Sequence, residues 1–438
     1  AGQAAATQLG GCPIFPSDNI WNTAIDTLPV DPKSGTYIQT EGGTNVPLHP
    51  DFGTVWNGAP NGIPYVIVPA GQPLVPIVLQ PYGGEADPGP YPIPPNAPIE
   101  GGPNGSGDRH VLTLQQGNCK LYELFSAYPL SGGSWQGFGA VFDLTKNAPL
   151  RPDGWTSADA AGLPIMPGLV KYDEVQAALQ GAGVIPHALR FTVPYTRREY
   201  VWPARHFASS STDPNRPPMG LRFRLKAAAN IDFYPGTSTP VSASNKVILR
   251  TLKKYGMFLA DNGGSFFVSG APDPRWSDDD LNLLKYYRAG DFEAVDSSSL
   301  MIDSNSGQAR QPSISGGLQL SATPSAVVAG GSLTVNWSGI TNPSATNWIG
   351  LYRPGAAAQD HGGNWMYVGC SKTATVGRAS GSCAFPLPSS LTSGAYELRL
   401  HAPSSWTMLV KSSAITISGG GTAAGPQVSA TPSTIARA

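Results

Sequence analysis

A seven-residue stretch occurs twice in this chain, 108 residues apart, and this spacing sets the size of one folding unit. Residues 319–325 have the sequence QLSATPS, and residues 427–433 have QVSATPS. A repeat of about 100 residues is the size of one β-sandwich domain. Apolar and polar residues alternate in the short runs between the two copies: 332–337, 347–352, 396–400 and 414–418. This alternation is typical of strands that bury one face, so we predict a β-sandwich over residues 318–418.

Two of these runs, 348–352 (WIGLY) and 396–400 (YELRL), resemble strands of the Ig-like modules that are appended to bacterial secreted enzymes. The resemblance implies an antiparallel, Ig-like sandwich for residues 318–418. The second copy of the repeat stops at Ala438 after a single strand. We therefore expect residues 419–438 to be a linker and the start of a second, truncated Ig-like repeat.

Residues 1–303 lack this repeat and are predicted to form a separate β-rich domain with a few short helices. Residues 245–255 place apolar side chains on one helical face, and Ser277 is a suitable cap for a second helix. The Asp-Asn-Gly-Gly sequence at 261–264 predicts a hairpin turn. Strands are predicted at 63–80, 111–114, 120–125, 139–144, 188–193 and 220–225. Serine and glycine are frequent at 304–317, which we interpret as a linker.

Charge and cysteine content restrict the compartment and the partners. The chain has 28 Lys and Arg against 29 Asp and Glu, and only 13% of its residues are charged, which argues against a nucleic-acid partner. No apolar run is long enough for a membrane span. The four cysteines suit an exported protein, and local spacing favours the disulfides Cys12–Cys119 and Cys370–Cys383 among three possible pairings. The start at Ala1 without Met suggests a processed end, so we expect a secreted or cell-surface protein.

Seven short motifs in the first domain resemble a group of secreted bacterial proteins without an established activity. The resemblance extends over residues 14–296 and implies export and a single compact domain, but it assigns no catalytic residue. The motifs are 15–22 (FPSDNIWN), 48–53 (LHPDFG), 107–110 (GDRH), 154–159 (GWTSAD), 202–206 (WPARH), 255–263 (YGMFLADNG) and 271–276 (APDPRW).

Three carboxylates beside or within apolar strands are the first candidates for catalysis. Asp108 precedes the strand at 111–114, while Glu123 and Asp143 lie within strands. A charge in such a position is costly unless it is paired or used. If these strands are neighbours, the three side chains converge, and two carboxylates in one cleft are what glycoside hydrolysis requires. The alternative is that each carboxylate forms a structural ion pair with a nearby arginine.

Histidines and one arginine form a second group of candidates. His110, His187 and His206 belong to predicted strands or their ends, and Arg190 lies on the strand that follows His187. These side chains would orient a substrate or adjust the pKa of the carboxylates. Two alternatives stay open. The three imidazoles could hold a metal ion, although no ligand spacing in the sequence identifies a metal site and we predict no cofactor. His187 or His206 with Tyr200 could instead abstract a proton, which is lyase chemistry.

Aromatic residues in loops next to these groups suggest a sugar partner. Exposed rings stack on the apolar faces of sugars, and we expect this of four residues: Trp135, Trp155, Tyr200 and Trp202. Sequence signatures of serine esterases, phosphate-binding loops and zinc proteases are missing. The sequence therefore favours a secreted glycoside hydrolase for a neutral polysaccharide or cell-surface glycan. A polysaccharide lyase, a metal-dependent oxidase and a non-enzymatic adhesin or filament protein are the alternatives.

Overall fold

In the computed structural model, the described residues are 8–80, 83–310, 318–340, 343–378 and 380–419. The chain divides into two compact units, Ala1–Pro312 and Ser313–Ala438. Part of the predicted linker is bonded into the first unit, because the carbonyl oxygens of Asn305 and Gly307 accept hydrogen bonds from Leu150 and Ile20. The rest of that linker, 311–317, and the second copy of the repeat lie outside the described residues.

The first unit is rich in short strands and contains a few helices, as predicted. Its strands are β1 Gln8–Leu9, β2 Cys12–Pro13, β3 His49–Asp51, β4 Val55–Trp56, β5 Ala59–Pro60, β6 Tyr65–Val68, β7 Ile77–Leu79, β8 Val111–Gln115, β9 Lys120–Pro129, β10 Trp135–Asp143, β11 Leu189–Val193, β12 Arg222–Leu225, β13 Met257–Asn262, β14 Phe267–Ser269 and β15 Phe292–Val295. Its described α-helices are α1 Ser34–Thr40, α2 Tyr172–Gln180, α3 Ala243–Lys254 and α4 Asp278–Asn282.

A five-stranded sheet with the order β6-β8-β9-β10-β7 forms one layer of the first unit. It is apolar on both faces because alternate residues of β8 enter different cores. Leu112 and Leu114 belong to the large core of the unit, while Val111 packs in a smaller core with Tyr91 and Trp135. The strands that carry Glu123 and Asp143 are neighbours, since β8, β9 and β10 are consecutive in this sheet.

A six-stranded sheet with the order β15-β12-β13-β11-β14-β3 contributes to the same large core. Helix α3 buries Ile248 and Leu252 there, and the side chain of Ser242 caps its first turn. The predicted hairpin at 261–264 is wrong. Strands β13 and β14 are not partners, because β11 lies between them and pairs with β13 in parallel and with β14 antiparallel.

The second unit consists of two sheets that share one core, so the chain is mostly β as predicted. Its strands are β16 Gln319–Thr323, β17 Ala326–Val328, β18 Ser332–Ser338, β19 Trp348–Tyr352, β20 Trp365–Tyr367, β21 Gly381–Pro386, β22 Gly394–His401, β23 Met408–Lys411 and β24 Ile415–Ser418. Val335 and Phe385 from the β16-β18-β21 sheet meet Ile349 and Leu398 from the β17-β24-β22-β19-β20 sheet. Most pairs are antiparallel, but β17 and β24 run parallel.

All four cysteines are paired as predicted, in Cys12–Cys119 and Cys370–Cys383. Disulfides are typical of proteins that fold in an oxidising compartment. The first bridge ties the N-terminal segment to the start of β9, and the second closes a short loop in the second unit. Within the described part of the chain, no helix has the length and apolarity needed to cross a membrane.

Candidate functional site

Side chains from both sheets of the first unit form a cluster of charged and polar groups within an otherwise apolar interior. The five-stranded sheet contributes its members on and beside β8 and β9, and the six-stranded sheet contributes them at the ends of β3, β13 and β14 and from β11. Loops supply the remaining two. We call this group the polar cluster: Asp51, Glu100, His110, Glu123, Asp159, Arg190, Asp261 and Ser269.

Arg190 and Asp159 form a buried two-pronged ion pair in this cluster. The Nε and Nη2 atoms of Arg190 donate to the two carboxylate oxygens of Asp159 at 2.9 and 2.8 Å. Its Nη1 donates to the hydroxyl of Ser269. Because both charged side chains are shielded from water, the pairing and the matched fork geometry are what make their burial tolerable. Arg190 is thus a fixed positive charge near the start of β11.

His110 and Glu100 form a second ion pair at the start of β8. Nδ1 of His110 lies 2.6 Å from a Glu100 carboxylate oxygen, and Nε2 lies 3.0 Å from the carbonyl oxygen of Ala158. Both ring nitrogens face acceptors, so both carry protons and the ring is a cation. Burial by itself lowers the pKa of His110, but the charge and hydrogen bond of Glu100 raise it to about 9. Burial raises the pKa of Glu100, yet His110 more than offsets this and holds it below the ordinary value.

The side chain of Glu123 is fully buried in the interior of the first unit. It stands opposite Leu112 in the register of β8 and β9, and therefore faces the large core. The backbone N–H groups of Ile165 and Met166 donate to its carboxyl oxygens at 3.0 and 2.9 Å. Burial raises the pKa of Glu123 to about 7 despite these two donors. Glu123 is therefore protonated in a large fraction of molecules at neutral pH.

Two aspartates of the cluster also bind protons more strongly than usual. Burial raises the pKa of Asp261 to about 7, and the negative charge of Asp159 acts in the same direction. Partial burial and the charge of Glu100 raise the pKa of Asp51, while Arg190 acts in the opposite direction. Asp51 therefore holds its proton more strongly than an ordinary aspartate, beside a Glu100 that releases its proton more readily than an ordinary glutamate. Two carboxyl groups that interact electrostatically and whose pKa values are shifted in opposite directions suit an acid–base pair.

The polar cluster reaches solvent at Asp51, which is exposed, and at Glu100, whose side chain is 26% exposed. The chain segments that carry these residues continue directly into the wall of a cavity of about 1050 Å³. Residues lining this cavity include Thr54, Ile99 and Ala271, which lie within three positions of Asp51, Glu100 and Ser269. Other parts of the wall are aromatic rings and prolines: Tyr65, Tyr172, Trp135, Pro64, Pro95 and Pro272.

Three of the predicted catalytic residues, Glu123, His110 and Arg190, are brought together in the cluster. Asp108 and Asp143 do not converge with Glu123 in one cleft, contrary to the prediction from the sequence. Asp108 is exposed, and its carbonyl oxygen accepts a hydrogen bond from Ser126. Glu123 stands opposite Ala140, three residues before Asp143, so the Glu123 and Asp143 side chains lie on opposite faces of the sheet.

Asp143 closes a surface turn. Its carboxylate accepts hydrogen bonds from the backbone and hydroxyl of Thr145 and lies 2.9 Å from Nζ of Lys146. Burial is the largest single effect and raises the pKa of Asp143, but these partners together outweigh it and hold the pKa below its ordinary value. Its surroundings are those of a structural carboxylate, which is the alternative that the sequence left open for it.

The three candidate histidines do not converge. His187 is fully buried, with Nδ1 2.8 Å from the carbonyl oxygen of Ala188 and Nε2 3.2 Å from Glu174. His206 bonds through Nδ1 to the carbonyl oxygen of Ala160 and stacks on Phe207. Among the residues that the structure describes, no three His, Cys, Asp or Glu side chains are grouped so that they could hold a metal ion.

Of the four predicted sugar-binding aromatic residues, Trp135 lines the large cavity. The others lie elsewhere and have protein partners. The Trp155 ring lies 5.7 Å from the Arg151 guanidinium, the Tyr200 hydroxyl donates to Asp153 at 2.6 Å, and Nε1 of Trp202 donates to a backbone carbonyl at 2.9 Å. These contacts fit the packing role that loop aromatics commonly have.

Asp51, Glu100 and Asp159 were missed by sequence reasoning, and Asp261 was interpreted as part of a turn. A usable signal exists for three of them, since Asp51, Asp159 and Asp261 belong to the motifs 48–53, 154–159 and 255–263. Each is a lone acid among apolar and small residues. Glu100 lies in a loop rich in proline and glycine, and nothing local distinguishes it. In comparisons with known proteins, neither a protein-family model nor a curated protein matches this chain.

Proposed function

We propose that the first unit is a secreted glycoside hydrolase that acts on a neutral polysaccharide. The observation that carries the proposal is the electrostatic influence of Glu100 on Asp51 in the polar cluster, where the pKa of Asp51 is raised and the pKa of Glu100 is lowered. Glycoside hydrolysis needs one carboxylic acid and one carboxylate. Both residues are accessible, and both belong to segments that also line the large cavity.

The opposite directions of the two pKa shifts assign the roles. Protonated Asp51 donates its proton to the glycosidic oxygen as the bond to the anomeric carbon breaks. Ionised Glu100 supplies the second carboxylate, either as the nucleophile or as the base that removes a proton from the attacking water. His110 acts as a positioning residue, because its cation keeps Glu100 ionised and holds its carboxylate in place. In either case the bond is cleaved by the net addition of one water molecule.

The substrate class follows from the character of the cavity and of the chain. A wall of aromatic rings and proline rings suits the apolar faces of sugar rings, with a few polar groups to orient the hydroxyls. The low overall charge favours a neutral polymer over an acidic one. The two disulfides support export to an oxidising compartment, where polysaccharides are encountered.

The test is incubation of the full chain with xylan, mixed-linkage β-glucan, galactomannan and pullulan, followed by measurement of new reducing ends. The variants D51N and E100Q should lose about 10²–10⁴-fold in rate, because each removes an acid–base group. The matched control is D143N, which changes a carboxylate on β10 outside the cluster and should keep wild-type activity. Melting temperatures measured in parallel separate a loss of catalysis from a loss of folding.

Two outcomes would overturn the proposal. Products that absorb in the ultraviolet as unsaturated sugars would indicate a lyase instead. No reducing ends from any of the four polymers would leave the non-enzymatic, cell-surface interpretation as the better one.

A further inference from the structure

An aromatic cluster covers the outer face of one sheet in the second unit. Ile349 and Leu351 of β19 point into the sandwich core, so Trp348, Gly350 and Tyr352 point outward. The outward face of an antiparallel sheet is normally polar and solvated, yet every residue of β19 is buried. The burial of Trp348, Gly350 and Tyr352 on this outer face is therefore due to other side chains that pack on it.

Four further aromatic residues surround Trp348 and leave a depression of about 290 Å³ between them. Strand β20 supplies two of them, and the loops before β20 and before β23 supply one each. We call this depression the aromatic cup, lined by Trp348, His361, Trp365, Tyr367, Ser404, Ser405 and Trp406.

The cup has a floor and upright walls. The Trp348 ring is the floor and stacks on the buried His401 ring, with centroids 4.0 Å apart and planes 9° apart. The Trp365 and Trp406 rings stand at 78° and 88° to this floor. His361 stands nearly parallel to Trp406, with their centroids 5.9 Å apart. Nε1 of Trp348 donates to the carbonyl oxygen of Ser405 at 3.0 Å, which fixes the floor to the loop that carries Trp406.

Unused hydrogen-bond donors surround the cup. Among the residues that the structure describes, none accepts a hydrogen bond from Nε1 of Trp365 or Trp406, or from the hydroxyl of Tyr367. Nδ1 of His361 accepts the N–H of Gly363 at 3.1 Å, so the proton of the neutral ring is on Nε2. Trp406 is 50% exposed, which leaves its ring accessible to a ligand. The cup thus combines ring faces with donors that suit a ligand rich in oxygen acceptors.

The charge near the cup argues against a cationic occupant. Nζ of Lys372 lies 5.7 Å from the Trp365 ring centroid and is held there by a 2.8 Å hydrogen bond to the carbonyl oxygen of Gly363. An aromatic cage for a quaternary ammonium group relies on ring faces without a competing cation. Lys372 already occupies that role at Trp365, and its charge would repel a second cation.

We infer that the aromatic cup binds a sugar ring of a neutral polysaccharide, which makes the second unit a carbohydrate-binding module. A pyranose has C–H bonds on its faces, which pack on Trp348 and the upright rings, and hydroxyl oxygens at its edge, which accept from Trp365, Tyr367 and Trp406. This inference does not depend on hydrolysis by the first unit. Binding without cleavage would support it even if the first unit has no activity.

The experiment is affinity electrophoresis of the full chain in gels that contain xylan, mixed-linkage β-glucan, galactomannan or pullulan. The E100Q background keeps the polymers intact if the chain hydrolyses them. W365A and W406A should each raise the dissociation constant about tenfold or more, since each removes a stacking face and a donor. The matched control is F233A, which removes an aromatic ring of the first unit that is 45% exposed and lies outside the large cavity, and it should bind as the parent does.

W406F retains a ring without the Nε1 donor and should bind more tightly than W406A, and melting curves confirm that each variant is folded. Three results would overturn the inference. The first is that none of the four polymers slows the protein in the gel, and the second is that W365A and W406A are slowed as much as the parent. The third is that choline, used as a quaternary ammonium probe, saturates the tryptophan fluorescence change while the polymers do not.

Discussion

The carboxylate of Glu100 lies 2.6 Å from Nδ1 of His110 and keeps a buried imidazole charged. We expect E100Q to lower the pKa of His110 from about 9 to below its ordinary value of 6.5. Burial lowers this pKa, and E100Q removes the negative charge that chiefly counteracts burial. The measurement is an NMR titration of the His110 ring protons. D108N is the control, since Asp108 also raises this pKa but contributes less than Glu100. A His110 that still titrates near 9 in E100Q would contradict this account.

The same pair makes a contribution to stability that depends on pH in a defined window. The pKa of His110 is higher in the folded protein, so its contribution is complete below 6.5 and is lost as the pH rises through about 9. The pKa of Glu100 is lower in the folded protein, so its contribution is present above 4.5 and is lost in acid. We expect the destabilisation caused by E100Q, measured by urea unfolding, to be greatest between these limits and to shrink toward pH 9.

Much of the fold was predictable because its signals are local. Alternating apolar residues predicted β8, β9 and β10, and the helical spacing at 245–255 predicted α3 to within two residues. The Cys370–Cys383 disulfide followed from short spacing and turn residues, and Cys12–Cys119 was the pair that remained. The hairpin at 261–264 failed because β11, almost seventy residues earlier in the chain, inserts between β13 and β14. A turn sequence cannot report a strand that arrives from a distant segment.

The candidate site was predicted only in part, for the same reason. Glu123 lies on β9 and His110 immediately precedes β8, and these two strands are close in sequence. Their proximity could therefore be predicted. Asp51 and Asp261 meet them only because the six-stranded sheet brings β3 and β13 to the same region as β8. The side to which Asp143 points depends on the register of β9 and β10, which composition does not reveal.

Buried Glu123 should make the protein less stable as the pH rises from weakly acidic to neutral. Its pKa is about 7 in the folded protein against 4.5 as its ordinary value, so deprotonation disfavours the folded state. The loss of stability from this group begins above pH 4.5 and is complete above pH 7, where it amounts to about 3 kcal/mol in the free energy of unfolding. E123Q removes the titration, so its melting temperature should depend less on pH across this range.

A matched control for E123Q is E199Q, whose carboxylate is 64% exposed and lies on the surface. Its melting curve should follow the wild type at every pH. Asp261 titrates in the same direction and over the same range, so some pH dependence will remain in E123Q. If E123Q and E199Q give the same pH profile, the raised pKa of Glu123 is refuted.

Removing one partner of the ion pair between Arg190 and Asp159 should strongly lower the free energy of unfolding. D159N leaves a buried guanidinium without its counter-charge, and we expect a loss of about 3–5 kcal/mol in the free energy of unfolding. The double variant R190M/D159L replaces both charges with apolar groups and should lose less than D159N alone. Urea unfolding of the three proteins is the measurement. A loss below about 1 kcal/mol in D159N would mean that water reaches Arg190.

The two disulfides should differ in what their removal costs. Cys12 and Cys119 are 107 residues apart, whereas Cys370 and Cys383 are 13 apart. In the chain-entropy description, a bridge stabilises by restricting the unfolded chain, by about 4–5 kcal/mol for the longer loop and about 3 kcal/mol for the shorter. Each bridge lies within a different unit, so C12S/C119S should lower the melting transition of the first unit and C370S/C383S that of the second. Calorimetry of both double variants tests the order, and an equal or larger loss in C370S/C383S would show that loop length does not govern it.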